Sequence, residues 1–303
     1  MKLLAIVLLL LAPLEAAALG PSYQGLWWKS PAGMESGWGI NLTHQGDVLF
    51  ATWFTYDRNG NGQWLVMPDG MLQMPMNDSM DMNDMTGMLG MGMMPNMMVP
   101  TPTYTGTIYR TTGPAFDAAT FDPAKVTTSP AGYATFMFND SDNGTFVYVL
   151  DNEYGSKTIT REVFGATPSC DFDSAPGTGN FQDLWWRSGG IEPGWGLNVA
   201  QQGDIIFATW FTYDHDGKGM WLVMPDAVKT AAATWQGKLY RTQGPAFDAQ
   251  PWNGTGVLAS EMGSATLSFT DAANGVFTAN VGSATIAKPI SREAYASPAS
   301  VCR

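Results

Sequence analysis

The sequence predicts an all-β protein of two tandem antiparallel up-and-down β-barrels, about eight strands each, with a pair of two-sheet sandwiches as the alternative. Three observations carry that expectation. An internal repeat covers nearly the whole chain, short apolar runs recur at even spacing between Gly- and Asn-rich turns, and helical periodicity is almost absent. The length of 303 residues suits two domains, each able to bury a core.

Residues 3–14 are apolar, follow Lys2 and precede Ala16-Ala17-Ala18, the layout of a secretory signal with a small-residue cleavage site. Residues 1–18 are therefore expected to be removed, leaving a periplasmic or secreted product. The run is too short to span a bilayer and no later one approaches ~20 apolar residues, so no membrane span is expected in the mature form.

The repeat divides the remainder of the chain. Trp27-Trp28-Lys29-Ser30 returns as Trp185-Trp186-Arg187-Ser188, and Gly37-Trp38-Gly39 as Gly194-Trp195-Gly196. Phe50-Ala51-Thr52-Trp53-Phe54-Thr55-Tyr56-Asp57 returns as Phe207 through Asp214, and Trp64-Leu65-Val66-Met67-Pro68-Asp69 as Trp221 through Asp226. Further on, Gly113-Pro114-Ala115-Phe116-Asp117 matches Gly244-Pro245-Ala246-Phe247-Asp248, and Arg161-Glu162 matches Arg292-Glu293. Between these blocks the offset falls from 157 to 131 residues, so copy 1 carries 26 additional residues. Copy 1 is thus placed at 19–164 with an insertion at 70–99, a Gly/Ser/Pro/Thr-rich linker at 165–180, and copy 2 at 181–303.

Within copy 1 the apolar runs predict strands at 26–30, 38–44, 48–56, 63–67, 104–111, 131–139, 145–150 and 157–164. Gln45-Gly46-Asp47, Asn59-Gly60-Asn61-Gly62 and Asp142-Asn143-Gly144 supply turn residues that tolerate positive φ. The run 48–56 is largely apolar on both faces, which predicts a central strand. Eight strands close a barrel just wide enough for side chains or one small ligand.

Net charge is −12, which disfavours nucleic acid and anionic membrane surfaces and makes cations the charge-compatible ligands. Cys170 and Cys302, the two cysteines, each follow one copy; a disulfide between the domain ends is expected, with free or intermolecular thiols as the alternative.

The blocks from Trp27-Trp28 to Gly37-Trp38-Gly39 and on to Trp64-Leu65-Val66 resemble a tandem module of exported, uncharacterised proteobacterial proteins. That resemblance implies export and a β-fold. Gly25-Leu26-Trp27 is also similar to the Gly-x-Trp that opens the first strand of lipocalin and avidin-type barrels, although copy 2 has Asp183 in place of the glycine.

The insertion holds the strongest chemical signal. Twelve of the 28 residues at 71–98 are methionine: Met71, Met74, Met76, Met80, Met82, Met85, Met88, Met91, Met93, Met94, Met97 and Met98, interleaved with Asp78, Asp81 and Asp84. Neutral, soft thioethers select Cu(I), whereas hard cations prefer oxygen. Met80-Asp81-Met82 and Met85-Thr86-Gly87-Met88 resemble the Met-rich segments of periplasmic copper-resistance proteins, which usually add histidine, absent here. The competing readings are a low-complexity loop, an oxidant sink and an adaptable apolar lid.

Other residues carry weaker signals. Asp57-Arg58-Asn59-Gly60-Asn61-Gly62 fits half a calcium loop, but Pro68 stands where a bidentate glutamate belongs, and a hairpin turn explains it. His44 and His215 fall at different points of the two copies, so no two-histidine metal centre forms within one domain, and both are expected to be solvated. Trp28, Trp38, Trp53, Trp186, Trp195 and Trp210 form a candidate ligand pocket, though repeated tryptophans equally suit a barrel core. Glu35, Arg110 and Arg161, with Glu192, Arg241 and Arg292, read first as salt bridges at the barrel ends. No nucleophile motif is present. The sequence thus predicts a non-enzymatic exported protein that sequesters or delivers Cu(I) and hands it to a copper-handling partner. The alternative is a binding module for a small organic or hydrophobic ligand, held at the barrel mouths under the Met-rich loop as a lid.

Overall fold

A computed structural model describes residues 20–73, 101–173 and 179–303. Residues 1–18, read from the sequence as a secretory signal, and the methionines from Met74 to Met98 lie outside the described residues. The first barrel is built from β1 (Gly25–Lys29), β2 (Gly39–Gln45), β3 (Val48–Tyr56), β4 (Gly62–Leu72), β5 (Thr103–Thr112), β6 (Thr127–Phe138), β7 (Asn143–Leu150) and β8 (Glu153–Arg161). Next comes β9 (Cys170–Asp173). The second barrel comprises β10 (Asp183–Arg187), β11 (Gly196–Gln202), β12 (Ile205–Tyr213), β13 (Gly219–Ala231), β14 (Thr234–Gln243), β15 (Leu258–Phe269), β16 (Asn274–Val281) and β17 (Ala284–Arg292), and the chain ends with β18 (Ala299–Cys302). Each barrel is an antiparallel meander closed by pairing its first strand with its last, β1 with β8 and β10 with β17.

The expected strands form within a few residues of their sequence bounds, with two instructive differences. β4 runs on to Leu72, pairing Met71 with Val48 and Thr105, so Met71 belongs to the sheet and not to a loop. The span read as a linker contains β9, which pairs with β18 and carries the Cys170–Cys302 disulfide; β18 in turn meets β2 at Ala299 and Gln45. The end of copy 2 is therefore fastened to copy 1.

Turn chemistry explains the hairpins. Gly46 adopts φ +56 in the two-residue link between β2 and β3. Asp57 Oδ1 accepts from the backbone N–H groups of Asn59 (2.8 Å) and Asn61 (2.9 Å), which occupies the calcium-like sequence with a capped turn. The turn at 139–142 uses an aspartate cap in place of positive φ, Asp140 Oδ1 accepting from Asp142 N and Asn143 N. Positive φ occurs instead at Asp151 and Asn152, which join β7 to β8.

Both barrels are filled. Leu49, Ala51 and Trp53 of β3 point inward among Ile40, Leu65, Phe136, Phe146 and Tyr148, and a void left among them measures only about 10 Å3. The opposite face of β3 explains why its sequence is apolar on both sides. Phe54 and Tyr56 join Trp64 with Leu184, Phe211, Tyr213, Trp221 and Val223 in a third core that lies between the barrels.

Matched residues face each other across this interface. Trp64 Nε1 donates to Thr212 O (2.8 Å) and its repeat partner Trp221 Nε1 to Thr55 O (3.3 Å). The barrels also exchange a loop. Phe247 is buried in the core of the first barrel and its N–H donates to Tyr56 O (3.0 Å); Phe116 packs against Trp210 of the second and its N–H donates to Tyr213 O (2.9 Å). Each Gly-Pro-Ala-Phe-Asp loop thus plugs the other barrel.

Candidate functional site

Each exchanged loop closes one end of the barrel it enters, in the first barrel the end beside Tyr56. At the opposite end, where β4 and β5 flank the insertion expected to form a lid, Tyr23, Tyr104 and Phe138 pack on one another, and the larger spaces lie between the barrels. Two recesses there are related by the repeat. One, about 370 Å3, is walled by Phe50, Trp64, Val66 and Tyr109 of the first barrel and by Trp186, Trp195, Phe211 and Glu293 of the second. Its counterpart, about 250 Å3, is walled by Phe207, Trp221 and Val223 of the second barrel and by Trp28, Trp38, Phe54 and Glu162 of the first. Asp69 adds a second, exposed carboxylate to the larger recess, whereas Glu162 is the one acid of the smaller. Aromatic walls with few charged groups are the makeup of a small-molecule site.

The folding of each wall comes from the repeated sequence. After Arg161 the chain leaves the first barrel and crosses to the second, where Gln202 Oε1 accepts from the N–H groups of Phe164 and Gly165, both 2.8 Å, and Gln202 Nε2 donates to Glu162 O (2.8 Å). Gln45 does the same for Tyr295, Ala296 and Glu293 O. These anchors bring Glu162 and Glu293 into the recesses. Gly37 and Gly194 bound the same spaces with φ +106 and +107, and a Cβ on either would collide with Val257 or Val126 of the opposite copy.

Trp38 and Trp195 are held by their edges. Glu35 Oε2 accepts from Trp38 Nε1 (3.0 Å) and Lys157 Nζ (2.6 Å), while Glu192 Oε2 accepts from Trp195 Nε1 (3.1 Å) and Lys288 Nζ (2.7 Å). Lys157 also lies 5.0 Å from the Trp38 ring centre. Glu35 and Glu192 are therefore spent on positioning. Arg110 pairs with Asp151, Arg241 with Asp214, Arg161 with Asp142 and Arg292 with Asp183, so the repeated arginines are in salt bridges.

Glu162 and Glu293 differ from all of these. Among the described residues neither carboxylate has an ion-pair partner or a side-chain hydrogen bond, and Glu293 Oε2 is fully enclosed. Burial pushes the Glu162 carboxyl up to about 7. Burial, and then the nearby Asp183 carboxylate, do the same to Glu293, also to about 7. Shielding a carboxylate from water without a donor destabilises the fold; both glutamates are half-buried, and at Glu293 one oxygen is wholly enclosed. Sequence reasoning passed over this pair, although the recurring Arg-Glu dipeptide was its visible signal.

Of the six tryptophans read as a pocket, Trp28, Trp38, Trp186 and Trp195 line the recesses, whereas Trp53 and Trp210 lie inside the barrels against Phe146 and Phe277. His44, expected to be solvated, is buried. Its Nδ1 accepts from Tyr23 N (3.2 Å), which leaves the Nε2 proton to donate to Tyr104 Oη (3.0 Å), and burial lowers its pKa to about 3. His215 is exposed beside Asp117. Among the described residues no group of three or more His, Cys, Asp or Glu is arranged to hold a metal ion.

A third recess of about 450 Å3 spans the two copies near Arg110, Asp151, Asp214 and Arg241. Its charges already satisfy one another, which leaves it less able to reward a ligand. Comparison with protein-family models, with curated proteins and with solved structures gives no match to this chain.

Proposed function

We propose that this protein is an exported, non-enzymatic binding protein that holds small apolar organic ligands in the two recesses between its barrels. The observation that carries this reading is the pairing of aromatic walls with a half-buried carboxylate that has no side-chain partner among the described residues, made twice from matched residues. Aromatic rings supply most of the contact area, and the two barrels fix their spacing in advance, so little ordering accompanies binding. Saturation-transfer NMR with a panel of small aromatic compounds tests it. Val66→Trp and Val223→Trp each fill one recess; binding stoichiometry should fall from two to one in either variant and vanish in the double variant. Unchanged binding in the double variant would reject the assignment.

A second reading rests on composition alone. The methionine-rich segment carries the softness that Cu(I) selects, so we propose that it binds Cu(I) separately from the recesses. Titration with Cu(I) against a competing chelator checks it. Replacing Met74, Met76, Met80, Met82, Met85 and Met88 with leucine preserves bulk and should remove most of the bound metal; retention of full stoichiometry would reject the copper reading.

A further inference from the structure

We infer that the two recesses are built for an organic ammonium ion, a cation carried on an apolar body, with Glu293 and Glu162 as the counter-charges. The inference rests on the binding role proposed for these recesses and names the chemistry of the ligand.

The lining decides the sign of the charge. In the larger recess Trp64, Trp186 and Trp195 stand around Glu293, and in the smaller one Trp28, Trp38 and Trp221 stand around Glu162. Indole faces carry negative quadrupole density, which attracts a cation and disfavours an anion. Asp69 adds an exposed carboxylate to the larger recess, and among the described residues no lysine or arginine lines either space, so a carboxylate or phosphate ligand would meet acidic groups with nothing to neutralise them. A neutral ligand would cover the half-buried glutamate and leave it unpaired.

Elsewhere this interface satisfies its charges. The neighbouring glutamates Glu35 and Glu192 have each acquired a lysine and an indole N–H, in both copies. Glu162 and Glu293 have acquired neither, and burial holds both toward the protonated form. Lys157 and Lys288 already stand over the Trp38 and Trp195 rings, 5.0 and 5.9 Å from their centres. An incoming cation restores the charged carboxylate and shares its own charge with the remaining indoles, Trp64 and Trp186 in one recess and Trp28 and Trp221 in the other. A quaternary or fully substituted ammonium presents the apolar surface that these largely aromatic walls match. The chain's net charge of −12 favours approach of such a ligand.

Isothermal titration of the disulfide-bonded protein at pH 8 with benzyltrimethylammonium, and with neopentylbenzene as its uncharged isostere, tests the inference. The parent should bind the cation about tenfold tighter or more, with two sites per chain. The Asp69→Asn/Glu162→Gln/Glu293→Gln variant keeps shape and removes the charge of both linings; it should bind both probes alike, at the affinity of the parent for the neutral one. Equal binding of the two probes by the parent, or a cation preference that survives in the variant, overturns the ammonium assignment while leaving the recesses as apolar sites. Binding of neither probe overturns the recess reading itself.

Discussion

At the scale of single residues, the fold retains groups in protonation states it has to defend, and pH exposes them. The folded-state pKa of Glu162 and of Glu293 is raised from 4.5 to about 7. The native state therefore binds more protons than the unfolded chain in that window, so their contribution is complete below pH 4.5 and is lost as pH rises through 7. Glu293→Gln should match the parent in thermal stability near pH 4.5 and exceed it at pH 8 by about 1–3 kcal/mol. A variant no more stable than the parent at pH 8 would show that the carboxylate has a partner.

His44 runs the other way. Its pKa falls from 6.5 unfolded to about 3 folded, so stability is complete above pH 6.5 and is lost as pH drops toward 3. The second barrel holds Gln201 at this position, where its Oε1 accepts from Phe181 N (2.9 Å) as His44 Nδ1 accepts from Tyr23 N. His44→Gln should cost about 1 kcal/mol at pH 7 through the lost Tyr104 contact, yet lose less than the parent between pH 7 and pH 4. Denaturant titrations at the two pH values check this.

At this scale the sequence was partly legible. Repeated tryptophans announced buried aromatics, but alternation could not say which face of a strand turns inward and which meets a second domain. Burial of a lone histidine and the missing partner of a glutamate depend on contacts between segments far apart in the chain, such as Glu293 with Gln45.

Elements were more readable. Period-2 patterning and local turn chemistry are short-range signals, and they located the strands of copy 1, including β3 with its two apolar faces. The loop exchange was not readable, because Gly-Pro-Ala-Phe-Asp looks the same whichever barrel it enters. Phe247 is 2% exposed and seals the first barrel, whereas Phe116 is only partly buried against the second. Phe247→Ala should therefore cost about 3–5 kcal/mol and Phe116→Ala visibly less, measured by denaturant unfolding. Equal costs would contradict the asymmetry of the two plugs. Pairing of β9 with β18 was likewise hidden, since a four-residue strand in a Pro- and Ser-rich stretch carries no periodicity; only its cysteine pointed to it.

As a whole molecule the protein behaves like a symmetric dimer written on one chain. Matched residues contact one another reciprocally, as in an isologous interface: Gly113 N donates to Gly217 O and Gly244 N to Gly60 O. A second barrel produced alone, residues 179–303, would expose Leu184, Phe211, Trp221 and Val223 and should pair with itself in place of the missing partner. Light scattering should find a dimer or larger species, and a stable monomer would contradict the interface as the main burial site of these residues. The duplication itself was plain in the sequence. That its product is a pair of shared recesses was not, because each one takes its walls from both copies and its acid from a segment that crosses between them.

The central claim is that ligands bind between the barrels and not within them. A crystal structure of the protein soaked with benzyltrimethylammonium tests it most directly. The expected result is electron density for the cation among Trp64, Trp186 and Trp195 with its nitrogen facing Glu293, and a second copy beside Glu162. Density inside either barrel or confined to the outer surface, with both recesses empty, would contradict it.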